Sequence, residues 1–311
     1  MGRLLLFALL ALAPLAAHAQ PAPDATSPAP DGPVPAPDDP VPAPTPAVAP
    51  IRFGLIPFLP EDQLRADMAP LMAYLSKVAG RPIQVVVGKD YGDTLALTVE
   101  GRVDLAYLTP AVYVSARQKR RDLKLLLTDV RGGLDFYTAI LVVRADGPIE
   151  RVEDLKGRRI ALVDRESTSG YVYPMRYLSG LGLTPSSFDE LRFSGNHRRS
   201  LEMLLSRQVD VAALSSNFLE GARAEGIDVS NVRVLARAGV IPQHAVVSTS
   251  QLPPDVEQRL VEALLSITSL SDEGRALLPA GMRLNGWKRA TPDEFDDVER
   301  TMKGAPPSPR Y

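Results

Sequence analysis

The segment most suited to chemistry is Ser167-Thr168-Ser169-Gly170-Tyr171, which follows a short apolar stretch at residues 160–163. The apolar stretch predicts a buried strand, and the hydroxyl-rich segment predicts the start of a helix. A helix N-terminus carries partial positive charge and free backbone N–H groups, so it can hold an oxyanion. The segment itself has no Lys or Arg, which favours a site that grips a phosphate-like group through neutral hydrogen bonds. A simpler interpretation, in which Ser167 or Thr168 only caps the helix, stays open on this segment alone.

Other polar side chains are predicted at a similar topological position, near the carboxyl ends of strands. Tyr91, Thr109, His197, Asn217 and His244 each follow a predicted strand or lie in a connection after one. In open α/β sheets, ligands bind beyond these strand ends, where helix N-termini converge. Each residue taken alone is also explained as a turn, cap or core residue, so it is their shared position that favours a binding site.

Signatures of catalysis are mostly missing. The sequence has no GxGxxG, GxxxxGK[ST] or GxSxG motif. His197 and His244 lack the spacing of an HExxH-type site, so neither a metal nor another cofactor is predicted. A Ser169–His197 nucleophile pair stays open as a hydrolase hypothesis, although no distinctive orienting acid lies near either residue in the sequence.

Composition and charge exclude several classes of protein. The 311 residues are 45% hydrophobic and 23% charged, which is enough for one large domain or for two lobes with their own cores. The formal net charge of -2 provides no basic field for nucleic acid or for an anionic membrane surface. Because there is no cysteine, disulfides, thiolate metal sites, a cysteine nucleophile and a lipid-modified N-terminal cysteine are all excluded.

Both ends of the chain differ in composition from the middle. Residues 1–19 have a positive start, an apolar run and a small-x-small cleavage site, which predicts a secretory signal peptide and a periplasmic protein. A retained membrane anchor is the alternative, but the apolar run is shorter than the ~20 residues of a spanning helix. Residues 20–50 are rich in proline and predict a disordered, extended tether, with a proline-rich ligand for a partner domain as the alternative. Residues 304–311 predict a loose tail.

Strand and helix patterns alternate from residue 51 onward, which predicts a mainly parallel α/β fold. The sequence GRVDLAYL at residues 101–108 returns as RQVDVAAL at residues 207–214. An amphipathic helix precedes each copy, and a small polar residue follows it. The separation is too long for a solenoid repeat, so the copies predict two similar lobes, with chance similarity between βα units as the alternative.

The repeat and the strand pattern together predict where the lobes divide. We expect lobe 1 to contain residues 51–143 and 240–303, and lobe 2 to contain residues 144–239. Two extended crossovers, near residues 141–146 and 236–246, would join the lobes. A ligand cleft would then lie between them.

Five blocks of sequence carry a resemblance to a known family. The blocks are FGLIPFL at residues 53–59, APLMAYLSKVAGRPIQVVVGKDY at 69–91, VDLAYLTPAVYVSA at 103–116, DLKGRRIALVDRESTSGYVYP at 154–174 and SGNHRRSLEMLLSRQVDVAAL at 194–214. Together they resemble the phosphate/phosphite/phosphonate-binding proteins of ABC importers, the PhnD-like family. The resemblance covers residues 51–302, nearly the whole folded part.

This resemblance implies a two-lobed periplasmic binding protein, similar to type II, that closes on its ligand by hinge motion. The hydroxyls of residues 167–169 would bond the phosphoryl oxygens, and His197 would contact the same head group from the same lobe. Tyr91 and Tyr137 would wall the pocket from the other lobe. The full ligand-binding set is Tyr91, Thr109, Tyr137, Ser167, Thr168, Ser169, Gly170, His197, Asn217 and His244.

Three positions depart from the family pattern. Members that bind aminoalkylphosphonates place carboxylates in the pocket, whereas the corresponding residues here are Asn217 and His244. A buried ammonium without a negative partner is costly, so we expect 2-aminoethylphosphonate to bind poorly. Phosphate, phosphite, methylphosphonate or another small oxyanion is favoured instead. Thr109 stands where the family usually has Gly, which narrows the pocket or adds a hydroxyl.

The function implied is that of a transport receptor, which captures an oxyanion in the periplasm and presents it to an ABC permease. Such receptors usually act as monomers. An accessory binding protein that signals to a membrane sensor kinase is the alternative, since it would use the same pocket and the same closure. The Ser169/His197 hydrolase is the third hypothesis.

Overall fold

The computed structural model describes residues 49–249, 251–305 and 307. The predicted signal peptide lies outside the described residues, as do most of the predicted tether and most of the predicted tail. No helix in the described ranges is both long enough and apolar enough to cross a membrane.

Two β-sheets organise the described chain. The first sheet has six strands in the order β11-β4-β10-β3-β1-β2, and the second has five in the order β7-β6-β8-β5-β9. The strands of the first sheet are β1 Ile51–Leu55, β2 Ile83–Val87, β3 Leu105–Leu108, β4 Lys124–Arg131, β10 Ala245–Ser248 and β11 Leu284–Arg289. Those of the second are β5 Phe136–Arg144, β6 Arg159–Leu162, β7 Glu190–Phe193, β8 Val211–Ser215 and β9 Val232–Pro242.

Helices connect these strands. The α-helices are α1 Glu61–Ala79, α2 Tyr91–Val99, α3 Pro110–Lys119, α4 Tyr173–Gly180, α5 His197–Leu205, α6 Ser216–Ala224, α7 Pro254–Ser266, α8 Asp272–Leu277 and α9 Asp296–Met302. Short 3₁₀ turns cover Val152–Leu155, Pro185–Ser187, Ala280–Met282 and Pro292–Phe295, and a π-helical turn covers Thr168–Val172. The predicted α/β class and two-lobed architecture are therefore confirmed.

The sheets are mixed rather than mainly parallel. Strand β1 pairs in parallel with β2 and β3, and β6 pairs in parallel with β7 and β8. The neighbours of β4, β5, β9, β10 and β11 are all antiparallel. The βα repeats produce the parallel pairs, as expected. The antiparallel pairs were not predicted, because the periodicity of a strand does not reveal its direction relative to its neighbours in the sheet.

The division between the lobes differs from the predicted boundaries. β5 was predicted to lie in lobe 1 up to residue 143, but it pairs along its length with β9 in the second sheet, from Phe136↔Pro242 to Arg144↔Val232. The chain therefore passes between the sheets at residues 132–135 and 243–244. Strands β5 and β9 are paired up to these two crossings. Their patterns of apolar residues do not predict which of the two sheets they join.

The internal repeat corresponds to the same Arg–Asp hydrogen-bond arrangement in each lobe, here called the Arg–Asp fork. In lobe 1, Asp104 accepts hydrogen bonds from Arg52 through its backbone N at 2.7 Å, Nε at 3.1 Å and Nη2 at 2.9 Å. In lobe 2, Asp210 accepts the same three bonds from Arg159 at 3.0, 3.0 and 2.9 Å. Each arginine starts the strand that is parallel to the repeated one. The repeated aspartate thus ties two strands together and takes no part in ligand chemistry.

The turn before each repeated strand is also shared. Gly101 has a φ of 69°, and Arg207, at the matching position, has a φ of 61°. The backbone carbonyl of each residue accepts a hydrogen bond at 3.2 Å from Nη2 of the arginine in the Arg–Asp fork of its own lobe. Glycine adopts this left-handed conformation without strain, whereas arginine does so only at an energetic cost. The turn keeps the same backbone conformation in both lobes despite that cost at residue 207.

Candidate functional site

The hydroxyl-rich segment forms the N-terminus of a continuous helical stretch. The π-helical turn at Thr168–Val172 runs directly into α4. Ser167 is the N-cap, and its Oγ accepts a hydrogen bond from Gly170 N at 3.1 Å. The capping interpretation is thus correct for Ser167, and it does not compete with binding, because Ser167 also lines a cavity. The remaining free N–H groups and the helix dipole favour a negative group at this end.

Gly170 lets the turn pack closely against β6. A Cβ atom at residue 170 would lie 2.4 Å from Val163 Cγ2 and 2.8 Å from Ser167 Oγ, and real Cβ atoms do not approach other atoms so closely. Gly170 therefore supports the site from behind, and it does not line the cavity.

Thr168 does not line the cavity. Its Oγ1 accepts a hydrogen bond from Ala111 N at 2.9 Å, and this buried bond joins lobe 2 to the first turn of α3 in lobe 1. The resemblance implies a bond from Thr168 to the phosphoryl group, whereas the bond found here joins the two lobes. The N-cap of α3 is Thr109, which makes no side-chain cap bond of its own, so a residue of the opposite lobe caps α3 instead.

Eight of the ten predicted residues line a single cavity of about 50 Å³: Tyr91, Thr109, Tyr137, Ser167, Ser169, His197, Asn217 and His244. Both lobes contribute, because Tyr91 begins α2 in lobe 1, whereas Ser169 and His197 belong to lobe 2. Tyr137 lies on β5 in the second sheet, so its predicted position on the wall opposite Ser169 is wrong. The misplaced lobe boundary is the cause of that error.

Three buried polar atoms of this lining have no hydrogen-bond partner within the described residues. They are Tyr91 Oη, Thr109 Oγ1 and His197 Nδ1. Buried polar groups in native proteins are nearly always bonded, so three unpaired atoms around one cavity indicate that something polar belongs there. All three residues are at most 7% exposed, so a polar atom without a hydrogen-bond partner is costly there.

The two tyrosines are hydrogen-bond donors at neutral pH. Burial raises the pKa of Tyr91, and the neighbouring Ser167 hydroxyl opposes part of that rise. Burial likewise raises the pKa of Tyr137, opposed in part by the Ser169 hydroxyl. Both phenols therefore stay protonated and can donate to an anion.

Both histidines are neutral. Burial lowers the pKa of His197 to about 4. Burial and the nearby Arg131 charge lower the pKa of His244 to about 3. His244 is stacked between aromatic rings, with its centroid 5.1 Å from that of Tyr107 and 5.9 Å from that of Tyr137. Its protonation would place a second cation beside Arg131, which is why its pKa lies lower still.

Ser169 and His197 do not form an activated nucleophile. Ser169 Oγ lies 3.5 Å from His197 Nε2, at the edge of hydrogen-bond distance. Among the described residues, no acid bonds to His197 Nδ1 to orient the ring, as a catalytic triad requires. Phe218 stacks on the His197 ring instead, with centroids 5.6 Å apart.

A buried ion pair at the cavity wall was not predicted from the sequence. Arg131 lines the cavity, and its Nε donates to Asp129 Oδ2 at 2.6 Å while its Nη2 donates to Tyr107 Oη at 2.6 Å. Asp129 is fully buried, and its Oδ1 accepts from His244 N at 2.8 Å. The site is therefore not purely neutral. A charged pair at the end of an apolar strand, before Gly132-Gly133, was the signal available in the sequence.

Glu225 was also missed, although it is a carboxylate that lines the cavity. It accepts a hydrogen bond from Arg198 Nη2 at 2.6 Å, so its charge is already balanced. Asn217 is likewise committed, since its Nδ2 donates to Gln243 Oε1 at 3.0 Å. No group of three or more His, Asp or Glu side chains in the described ranges is placed to hold a metal ion.

A sequence model of one protein family matches residues 53–295, and its description is "ABC transporter, phosphonate, periplasmic substrate-binding protein". The chain belongs to this family. Its members are the substrate-binding components of ABC transporters. Neither a sensory nor a hydrolytic function gains support from the match.

Individual relatives are distant but cover most of the chain. The phosphate-import protein PhnD of Mycolicibacterium smegmatis is 25% identical over 240 residues, covering 72% of this chain and 74% of the relative. The phosphonates-binding periplasmic protein of Escherichia coli is 20% identical over 232 residues, with 73% and 69% covered. The fold of this binding protein is similar to PhnD1 from Prochlorococcus marinus, solved with methylphosphonate, with a TM-score of 0.73, 17% identity and coverage of 81% and 97%.

Proposed function

We propose that this binding protein captures a phosphorus oxyanion in the periplasm, such as phosphate, phosphite or a small alkylphosphonate, and presents it to an ABC permease. In this proposal it acts as a monomer and catalyses no reaction. Residues 1–19 direct export, and residues 20–50 form a tether between the N-terminus and the folded part.

The observation that carries the proposal is the group of unpaired atoms around the cavity: Tyr91 Oη, Thr109 Oγ1 and His197 Nδ1. A cavity of about 50 Å³ has room for the centres of roughly three to four waters, which is also the scale of a small tetrahedral anion. Oxygen atoms of such an anion would accept hydrogen bonds from hydroxyls that otherwise have no partner.

The ligand contacts divide between the lobes. Ser167, Ser169 and the helix N-terminus would hold the head group from lobe 2. Tyr91 and Thr109 would donate to it from lobe 1. Because one anion contacts both lobes, it binds the closed form better than the open form, and this difference drives closure.

The charges around the cavity disfavour a cationic substituent. The carboxylates nearest the cavity are both already paired, Asp129 with Arg131 and Glu225 with Arg198. Asn217 and neutral His244 supply no negative charge. An ammonium placed here would lose its hydration without gaining a partner, so 2-aminoethylphosphonate is expected to bind at least tenfold more weakly than methylphosphonate.

Isothermal titration calorimetry on the purified protein tests this function, after unfolding and refolding to strip any bound ligand. Phosphate, phosphite, methylphosphonate, 2-aminoethylphosphonate and sulfate form the panel. We expect tight binding of one phosphorus oxyanion. Ser169→Ala should weaken that binding by about 10- to 100-fold, because a hydrogen bond to a charged group contributes about 1.5–3 kcal/mol.

Ser186→Ala is the matched control, since Ser186 is an exposed serine in a surface turn. It should bind as the unchanged protein does. Failure of every phosphorus oxyanion to bind would overturn the proposed function, and equal binding by the Ser169→Ala variant would overturn the assigned site.

A further inference from the structure

A second, larger cavity adjoins the ligand cavity. Its volume is about 390 Å³, and it shares Arg131, Tyr137, Asn217 and Met282 with the first cavity. These four residues form a wall that the two cavities have in common. The inner cavity holds little more than a head group, so any longer substituent on that head group extends into the outer cavity.

The outer cavity is electropositive. Arg131, Arg237 and Arg283 line it together with Glu220, and since Arg131 is already paired with the buried Asp129, the excess positive charge comes from Arg237 and Arg283. Arg237 is exposed on β9, and its side chain takes part in no ion pair or hydrogen bond found among the described residues. Arg283 lies 3.6 Å from Glu220, and both side chains are about half exposed, which makes that pair weak.

Arg283 also has an unusual backbone. Its φ is 52°, in the left-handed region that residues with a side chain rarely adopt. This conformation is found just before β11, where the chain of lobe 1 approaches α6 of lobe 2. Strained residues of this kind concentrate at ligand sites and switch regions, where the surrounding structure holds them.

Apolar side chains complete the wall. Leu134 is 48% exposed and Phe136 is 36% exposed, and both line the outer cavity. A pocket that combines exposed apolar surface with arginine side chains is suited to a short carbon chain that ends in an acidic group. Guanidinium groups pair with carboxylate or phosphoryl oxygens through two parallel bonds, and they repel ammonium groups.

We infer that the outer cavity is a subsite for a second negatively charged group carried by the ligand, so that the protein prefers phosphorus oxyanions whose substituent ends in a carboxylate or a phosphoryl group. The inference rests on the proposed function, because the inner cavity must first hold the phosphorus head group. Arg237 and Arg283 bind the second group, and Leu134 and Phe136 contact the carbon atoms between the two.

Calorimetry, by direct titration and by competition, tests the subsite with ligands that share the phosphorus head group and differ in the substituent. The probes are methylphosphonate, propylphosphonate, phosphonoacetate, 3-phosphonopropionate and methylenediphosphonate. We expect the ligands with a second acidic group to bind about tenfold tighter than propylphosphonate, and the advantage to shrink as salt is raised from 50 to 500 mM, because exposed charges are screened. The affinities of the carboxylate ligands and of methylenediphosphonate show which acidic group the subsite binds more tightly.

Arg237→Gln is the decisive variant, with Arg289→Gln, an exposed arginine on β11 outside both cavities, as its control. Arg237→Gln should reduce the preference for the acidic substituent about threefold to fivefold and leave methylphosphonate binding unchanged. If methylphosphonate binds but the acidic ligands gain nothing over propylphosphonate, the subsite is overturned and the proposed function stands. If no phosphorus ligand binds, both are overturned.

Discussion

The three hydroxyls at residues 167–169 have different environments, although the sequence presents them as one group. Ser167 caps the helix and lines the cavity, and Ser169 lines the cavity beside His197. Thr168 is turned to the opposite lobe, where it bonds to Ala111 N. Successive residues at a helix start point in different directions, so a cluster of like residues in sequence does not form one cluster in space.

The two buried histidines make the unliganded protein sensitive to acid. Unfolded histidine has a pKa near 6.5, whereas burial lowers the pKa of His197 to about 4 and that of His244 to about 3. The unfolded state therefore binds protons first as the pH falls below 6.5, and stability is lost from there down to the folded pKa values. Between pH 7 and pH 5 we expect a loss of about 2 kcal/mol for each histidine.

Urea unfolding of the ligand-free protein at pH 7, 6 and 5 measures this loss. His197→Gln should remove about half of the pH dependence, because glutamine does not titrate. An unfolding midpoint that is the same at pH 7 and pH 5 in the unchanged protein would contradict the expectation.

Much of the site follows from residue types at strand ends, but its charged wall does not. Tyr91, Thr109 and Asn217 were predicted from their position after strands, and all three line the cavity. Arg131 and Glu225 were missed, since one ends a strand next to a hinge and the other follows a helix, where charged residues are usually solvated. Only the tertiary packing brings these two side chains to the cavity.

Helix α3 is an element completed by the other lobe. Its own N-cap residue, Thr109, makes no cap bond and leaves Oγ1 free in the cavity, while Thr168 of lobe 2 accepts the bond from Ala111 N. Ser115 of the same helix donates to Glu166 at 3.3 Å, a second bond across the lobes. Closure therefore satisfies backbone and side-chain groups of α3 that water would satisfy in an open form.

Replacing Thr168 tests whether this cap belongs to the closed state. Thr168→Val keeps the side-chain shape but removes the acceptor, so the closed state loses a hydrogen bond of about 1 kcal/mol. We expect affinity for the phosphorus oxyanion to fall about fivefold, with little change in the melting temperature of the ligand-free protein. Thr168→Ser keeps the acceptor and should bind as the unchanged protein does. Unaltered affinity in Thr168→Val would show that the bond does not contribute to closure.

At the scale of the whole molecule, the internal repeat predicted two similar lobes, and the two Arg–Asp forks explain the similarity in physical terms. The position of the hinge could not be predicted in the same way. The sequences of strands β5 and β9 fit either sheet, and only their pairing with each other and with β8 assigns them to lobe 2. Fold class thus follows from local patterns, whereas the lobe boundary depends on long-range pairing.

The absence of cysteine in the sequence permits a direct test of lobe closure with paired spin labels. Helices α1 and α5 face each other across the cleft, where Arg198 Nη2 lies 3.5 Å from Gln63 Oε1. Labels at Ala66→Cys and Arg199→Cys, both exposed and outside the ligand cavity, report the distance between these helices. Because a ligand that contacts both lobes favours the closed form, we expect a shorter and narrower distance distribution with saturating methylphosphonate than without ligand.

Labels at Ala66→Cys and Arg121→Cys lie within lobe 1, so their distance should not change. An interlobe distance that stays constant while calorimetry detects binding would mean that the cavity fills without closure, and the role given to Tyr91 and Thr109 as donors from lobe 1 would then be wrong.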